Sequence, residues 1–353
     1  MLPLKDAPGK ICILRLSALG DVTHTVPVIR AIKAHWPETR ISWIIGKFEH
    51  RLLKNLDGVE LIPFDKRGGL KAIADLRRRL KDRDFDLLLH MQVALRANVL
   101  SRMVKAPIRI GWDRPRSRDR HYWFINQSIR SVSFQHQVNG FLEFAWTLGI
   151  PESEPRWDLP VSDIDRNWAT EQLPGNQPIL MISPCSTHAL RNWRNEFYAQ
   201  VADHATSKLG MKVVLIGGPG ELEKSTAGEI QAAMSSECIN LVGKDTLGQS
   251  MALMQKASVL ISPDSGPGHI ASALGTPVLG LYAATWSRRS GPYNSLNLCV
   301  DRFPEAARKF RNKEPEELRW GTRIEVPGVM DLVEPDAVFE KLRQHQSLQN
   351  PTR

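Results

Sequence analysis

The chain has 353 residues, 42% of them hydrophobic, with a formal charge of +9. That length exceeds one ordinary domain and is ample for two separate cores. No apolar run approaches the ~20 residues of a membrane span, and the first ten residues hold no apolar stretch of the kind a secretory leader carries.

A first strand is expected over 11–16. It runs into Ser-Ala-Leu-Gly-Asp-Val-Thr-His-Thr-Val-Pro at 17–27, where Gly20 permits a turn. Asp21 would then stand at the carboxyl end of the strand, the edge of an open α/β sheet at which ligands bind. An amphipathic helix follows over 26–35. Strands over 41–45, 59–63, 87–91 and 108–111 alternate with helices over 70–81, 94–105 and 138–148, a rhythm that implies a parallel sheet. Residues 150–177, rich in Pro, Glu, Asp and Asn, read as a linker. The rhythm restarts with strands over 179–183, 212–217, 239–241, 258–262 and 277–282, and helices over 195–209, 222–234 and 247–255. Residues 301–325 are charged and irregular, and 335–344 form a last helix.

Between the strand at 258–262 and a helix opening near Ile270 lies Pro-Asp-Ser-Gly-Pro-Gly-His, residues 263–269. Asp264 or Ser265 can cap that helix, Pro267 suits its first turn, and the glycines let a ligand approach the backbone. Unpaired N–H groups and a positive dipole end make such a corner an anion site; an ordinary turn with a capping Asp is the plain alternative. Two corners of this kind, in separate halves, suggest two Rossmann-like domains facing one cleft.

The charge is uneven. Seventeen Lys and Arg against six Asp and Glu lie between residues 66 and 130, a local +11 that leaves the remainder near −2. A solvated helix face accounts for Arg77, Arg78 and Arg79. Arg109, Arg114, Arg116, Arg118 and Arg120 instead interleave with Trp112, Tyr122, Trp123 and Phe124, which suits phosphates beside lipid, or nucleic acid. No nucleic-acid module accompanies them, so an anionic lipid or glycolipid is the expected partner. The four cysteines are scattered and fit a reducing cytoplasm. Asp84-Phe-Asp86 and Asp163-Ile-Asp165 fall at a strand entry and in the linker, and no metal ligands are expected. A dinucleotide oxidoreductase is disfavoured, since no Gly-x-Gly-x-x-Gly follows the first strand.

The segment from Leu16 to Pro27 resembles the opening motif of the ADP-heptose:lipopolysaccharide heptosyltransferases, glycosyltransferase family 9, most like the heptosyltransferase I type. Ser-Pro-Cys-Ser-Thr-His-Ala-Leu-Arg-Asn-Trp at 183–193, Gly-Gly-Pro-Gly-Glu at 217–221 and the 263–269 motif match in family order and spacing. The resemblance covers about 11–285 and implies an α/β GT-B fold, two Rossmann-like domains with parallel sheets facing a central cleft. It places an acceptor domain at 1–155, an ADP-sugar domain at 176–325, and a helix and tail at 326–353 that packs back on the first domain. It further implies an inverting, metal-independent transfer with ADP-heptose as substrate and no cofactor. The acceptor would be Kdo–lipid A or another inner-core lipopolysaccharide precursor, met in the cytoplasm at the inner leaflet of the membrane.

Residue by residue, Asp21 matches the family's catalytic carboxylate, with a helix-capping Asp as the alternative. Arg191 falls where the family usually carries Lys, and its planar fork suits two phosphate oxygens. Ser186 and Thr187 match hydroxyls on the donor phosphates, and the N–H groups of Ser265 and Gly266 would complete the cradle. Asp264 and His269 match positions around the donor, and Glu221 resembles the nucleotide-contacting acid. Arg114, Arg116, Arg118 and Arg120 are the expected acceptor contacts. Pro263 and Pro267 make the donor motif stiffer than the commoner family sequence, and 300–325 has no family counterpart. The alternatives are another GT-B nucleotide-sugar enzyme (a heptosyltransferase II type, another ADP- or UDP-sugar transferase, or an epimerase) and a non-enzymatic basic protein that binds membrane or nucleic acid.

Overall fold

The continuous apolar runs become strands buried on both faces, as parallel sheets covered by helices require. In the computed structural model, which describes residues 2–349, the chain divides after Pro160 into two units. The first contains β1 (Lys10–Leu14), α1 (Leu19–His35), β2 (Arg40–Gly46), α2 (Lys47–Leu53), β3 (Glu60–Phe64) and α3 (Gly69–Leu80). It continues through β4 (Leu87–His90), α4 (Leu95–Ser101), β5 (Ile108–Gly111), β6 (Gln127–Ser128) and α5 (Gln137–Thr147). All strands are parallel, in the order β3-β2-β1-β4-β5-β6. The chain winds outward in both directions from the β1/β4 pair, so their carboxyl ends form the switch point where open sheets bind ligands.

α1 begins seven residues before the expected helix, so Gly20 and Asp21 lie in its first turn and not in a loop. The Thr23 and Thr25 hydroxyls donate back to the carbonyls of Leu19 and Asp21 at 2.8 and 3.1 Å. Val22, Val26, Ile29 and Ile32 are wholly buried. Pro27 sits inside this helix; a proline there costs about 3 kcal/mol, and burial of nearly the whole first half of α1 offsets it. On β2, Trp43 is fully buried and its indole N–H donates to Arg15 O at 2.9 Å, which fixes the exit of β1.

The second unit runs through α6 (Asp163–Gln172), β7 (Ile179–Ile182), α7 (Asn195–Leu209), β8 (Lys212–Leu215), α8 (Glu221–Ala233), β9 (Ile239–Asn240) and α9 (Leu247–Lys256). After these come β10 (Val259–Pro263), α10 (Gly266–Ala273), β11 (Val278–Tyr282), α11 (Ser287–Ser290), β12 (Val300–Asp301), α12 (Phe303–Arg311) and α13 (Pro335–Gln349). The sheet order is β9-β8-β7-β10-β11-β12, all parallel. It is the same permutation as in the first unit, with its switch point between β7 and β10.

Several segments differ from expectation, and α2, β6, α11 and β12 lie where no element was expected. The linker stretch contains α6, started by Ser162, whose hydroxyl accepts the Asp165 amide at 3.2 Å. The hydroxyl in turn donates to the Asp165 carboxylate at 2.6 Å, so Asp163-Ile-Asp165 serves a helix start. The charged stretch after residue 301 contains α12, which turns Phe303, Ala306 and Ala307 into the core. The final helix inserts Val338 and Leu342 into the second unit's own core and packs on α7. Residues 350–353 of the expected tail lie outside the described residues.

Candidate active site

In the first unit, Asp21 is the third residue of α1, at the carboxyl end of β1. Its Oδ2 accepts the Ala18 amide at 3.3 Å, half of a capping box that Ala18 has no side chain to complete. The same oxygen pairs with the Arg15 guanidinium. Arg15 is itself fixed: Nη1 donates to Met91 O at 2.6 Å, just past β4, and the guanidinium lies 5.3 Å from the Phe141 ring centre. Asp21 Oδ1 accepts from the Gln137 side-chain amide at the start of α5. An ionised carboxylate offers about four acceptor positions, and these contacts fill three. One remains for a hydroxyl, the arrangement a general base requires.

The second unit places its polar residues at the matching corner. After β7, the Ser186 hydroxyl donates to His188 O at 3.0 Å and accepts the His188 amide at 3.2 Å, while the Ser186 amide donates to Asn192 Oδ1 at 2.7 Å. Thr187 is exposed beside this turn. The turn brings Arg191 inward: Nε and Nη2 lie 2.8 and 2.7 Å from Glu325 Oε1, and Nη1 lies 3.4 Å from Asp264 Oδ2. Asp264 follows β10 directly. Its Oδ1 is 3.5 Å from His269 Nε2, and the Ser290 hydroxyl approaches its Oδ2 at 3.5 Å. Burial pushes the Asp264 carboxyl up, but the hydrogen bond and charge of His269, with Arg191 and the Thr285 hydroxyl, hold it below the ordinary carboxylate value.

Ser265 is the N-cap of α10 and its hydroxyl shares a 2.7 Å bond with Ser262. Pro267 is the second residue of α10 and has no N–H to leave orphaned. The amides of Gly266 and Gly268 have no intrahelical acceptor by geometry, so this turn presents donors at the positive end of the helix. Glu221 is the first residue of α8, exposed, one strand further out at the end of β8.

The expected acceptor arginines divide by environment. Arg114, Arg118 and Arg120 are exposed. Arg116 is committed to Asp113, to Arg130 O at 2.8 Å and to the Trp112 ring. Arg109 is equally committed, donating to the carbonyls of Phe124, Val104 and Ser101 at 2.8–2.9 Å, so it braces the loop from within. That loop is pinned by His90, Asn98 and His121: both imidazoles lie 2.9 Å from Asn98 Oδ1, and His121 Nε2 accepts the Trp112 amide at 3.2 Å. Burial pushes the His121 imidazole down to about 4. Burial, with the neighbouring His121, pushes His90 down as well.

Sequence reasoning did not find Arg15, Gln137, Thr285, Ser290 or Glu325. Gln137 lies 116 residues from Asp21 and Glu325 lies 134 from Arg191, so no local pattern could join them. Among the described residues, no three of His, Cys, Asp and Glu form a group able to hold a metal ion, and no helix is long and apolar enough to cross a membrane.

The chain is similar to known proteins over most of its length. The family model for glycosyltransferase family 9 (heptosyltransferase) matches residues 73–319. The lipopolysaccharide core heptosyltransferase OpsX of Haemophilus influenzae is 38% identical over 339 residues, 96% of this chain and 97% of that protein. Among solved structures, a glycosyl transferase family 9 protein from Veillonella parvula superposes with a TM-score of 0.79 at 21% identity, covering 96% of this chain and 97% of that one. The ADP-heptose lipopolysaccharide heptosyltransferase II of Escherichia coli gives 0.73 at 21% identity, covering 97% and 100%. Two six-stranded parallel sheets of GT-B type, a carboxylate at one switch point, an arginine at the other and a 38% identical full-length relative converge: this chain belongs to glycosyltransferase family 9, the lipopolysaccharide heptosyltransferases.

Proposed function

We propose that the protein transfers L-glycero-D-manno-heptose from ADP-heptose to a Kdo hydroxyl of Kdo–lipid A, with inversion and without a metal ion. The observation that carries this reading is the oriented carboxylate of Asp21, held by Arg15 and Gln137 with one acceptor position unfilled. Asp21 takes the proton of the acceptor hydroxyl as its oxygen bonds to the heptose anomeric carbon. The bond from that carbon to the β-phosphate oxygen breaks, and ADP departs with the electron pair. Arg191, the hydroxyls of Ser186 and Thr187, and the amides at the start of α10 receive the charge that develops on the diphosphate. Asp264 and His269 bound the sugar, and Glu221 meets the nucleoside.

The acceptor side of this reading rests on the loop from Trp112 to Phe124. Arg114, Arg118 and Arg120 stand beside exposed Tyr122 and Trp123, and α4 exposes Leu95 and Val99 next to them. Aromatic and aliphatic groups among arginines suit the headgroup layer of an anionic membrane and the phosphates of lipid A. The reading therefore places the enzyme at the cytoplasmic face of the inner membrane.

Mass spectrometry of the product from ADP-heptose and purified Kdo–lipid A tests it. Addition of one heptose, undiminished by EDTA and with inverted anomeric configuration by NMR, is expected. Transfer only to an acceptor that already bears heptose would move the enzyme to a later step. Transfer to neither acceptor would remove the reading.

A further inference from the structure

We infer that Glu325 is a positioning residue for Arg191, fixing the direction of its guanidinium. The inference rests on the proposed donor role of Arg191. Glu325 belongs to the stretch for which the sequence suggested no function. Its neighbour Ile324 is wholly buried and donates its amide to Ala284 O at 2.8 Å, just beyond β11. Glu325 is thereby fixed by backbone and core, and its carboxylate reaches the guanidinium along one edge, with Nε and Nη2 on the same oxygen at 2.8 and 2.7 Å. Its other oxygen lies 3.5 Å from His188 Nε2, in the turn that carries Ser186.

A guanidinium has five N–H groups in a rigid plane. Glu325 takes one from Nε and pairs with Nη2 at 2.7 Å, and Asp264 takes one from Nη1. One N–H remains on each Nη nitrogen, a fork suited to two oxygens of a diphosphate. Without the edge contact the arginine stem has several rotamers and the fork has no fixed direction. A lysine ammonium needs no such clamp, because its three donors radiate from one atom. Arginine at 191 and glutamate at 325 therefore form one device.

The test is a double-mutant cycle read in donor kinetics and in ADP binding by calorimetry, using Arg191→Lys, Glu325→Gln and the pair together. Gln preserves shape and the acceptor oxygen, so folding should survive, checked by thermal melting. Glu325→Gln is expected to lower kcat/KM for ADP-heptose and weaken ADP binding by roughly ten-fold, the scale of one charge-assisted hydrogen bond, with the acceptor KM unchanged. In the Glu325→Gln background, Arg191→Lys should cost little more, because the clamp it no longer needs is already gone. Losses that simply multiply would overturn the inference, as would donor kinetics within two-fold of native in Glu325→Gln. If Arg191→Ala itself left donor kinetics untouched, the donor role of Arg191 would fall instead, so the two failures are distinguishable. The coupling term compares ratios, so it still decides the question should either variant lose some stability.

Discussion

Both units carry an Arg–Asp pair at the switch point of their sheet, yet the pairs are braced differently. In the first, Arg15 is 11% exposed and Asp21 is 23% exposed, so the cation supports from beneath and the carboxylate is presented. In the second, Arg191 and Asp264 are 11% and 12% exposed, and a second carboxylate, Glu325, joins them. One strand order thus offers two corners, and how each charge is held is decided by side chains that arrive from far along the chain. A carboxylate braced by a cation can accept a proton; a cation braced by two carboxylates is aimed more than it is charged. The fold supplies the place and the bracing residues supply the chemistry.

The sharpest way to break this contrast is to neutralise the presented carboxylate. Asp21→Asn keeps size and hydrogen bonding but removes proton acceptance, and kcat should fall by roughly 10²–10⁴. ADP affinity, measured by calorimetry, should stay near native, since the proposed donor residues lie in the other unit. Near-normal turnover would leave Asp21 as part of a helix start only. Arg191→Ala should cost about 2–4 kcal/mol of transition-state stabilisation, read as donor kcat/KM. Arg191→Lys should recover part of that loss. An unchanged kcat/KM in Arg191→Ala would remove the cation from the site.

The units should also part company in acid. His121 titrates near 4 when folded and near 6.5 when unfolded. The unfolded chain then binds the proton first as pH falls, so stability drops through the window from about 6.5 to about 4, by on the order of 3 kcal/mol for this residue. His90 is displaced in the same direction and adds to the loss. Asp264 behaves oppositely in position: its folded value lies below the ordinary carboxylate value, so its contribution is complete above about 4 and fades only below. Hydrogen exchange at pH 7 and pH 5 should show β4 and the 112–124 loop losing protection while the start of α10 keeps it. Equal protection in β4 at both values would contradict the assignment.

The central strands were legible because each is a run of apolar residues bounded by turns, whereas the two-residue edge strands β6 and β12 carry no such run; the corners were legible because Gly, Pro and Asp cluster there. α6 was not, since it buries only Ala169 and its polar composition hides the period. α12 was hidden similarly, with two alanines and one phenylalanine forming its buried face among charges. Asp21, Arg191 and Asp264 could be picked out through local motif, whereas Gln137 and Glu325 could not. Gln137 and Glu325 acquire meaning only when the sheet brings distant segments together.

The basic loop gives the smallest effects and the finest discrimination. Arg114, Arg118 and Arg120 are exposed, whereas Arg116 is held by Asp113, Trp112 and Arg130 O. Neutralising the three exposed arginines should raise the acceptor KM and weaken binding to anionic vesicles, at about 1 kcal/mol per charge near such a surface. The donor KM should hardly move. Arg116→Gln should instead lower the melting temperature, because its loss leaves the buried Asp113 carboxylate without its cation. Salt should mimic the three-fold variant, as screening shortens to about 3 Å at 1 M. A nucleic-acid surface would show the same salt dependence, so competition decides. Kdo–lipid A should displace vesicles from the native protein, and random duplex DNA should not. If DNA competes better, this loop is not the acceptor surface, although the transferase chemistry at Asp21 and Arg191 would stand.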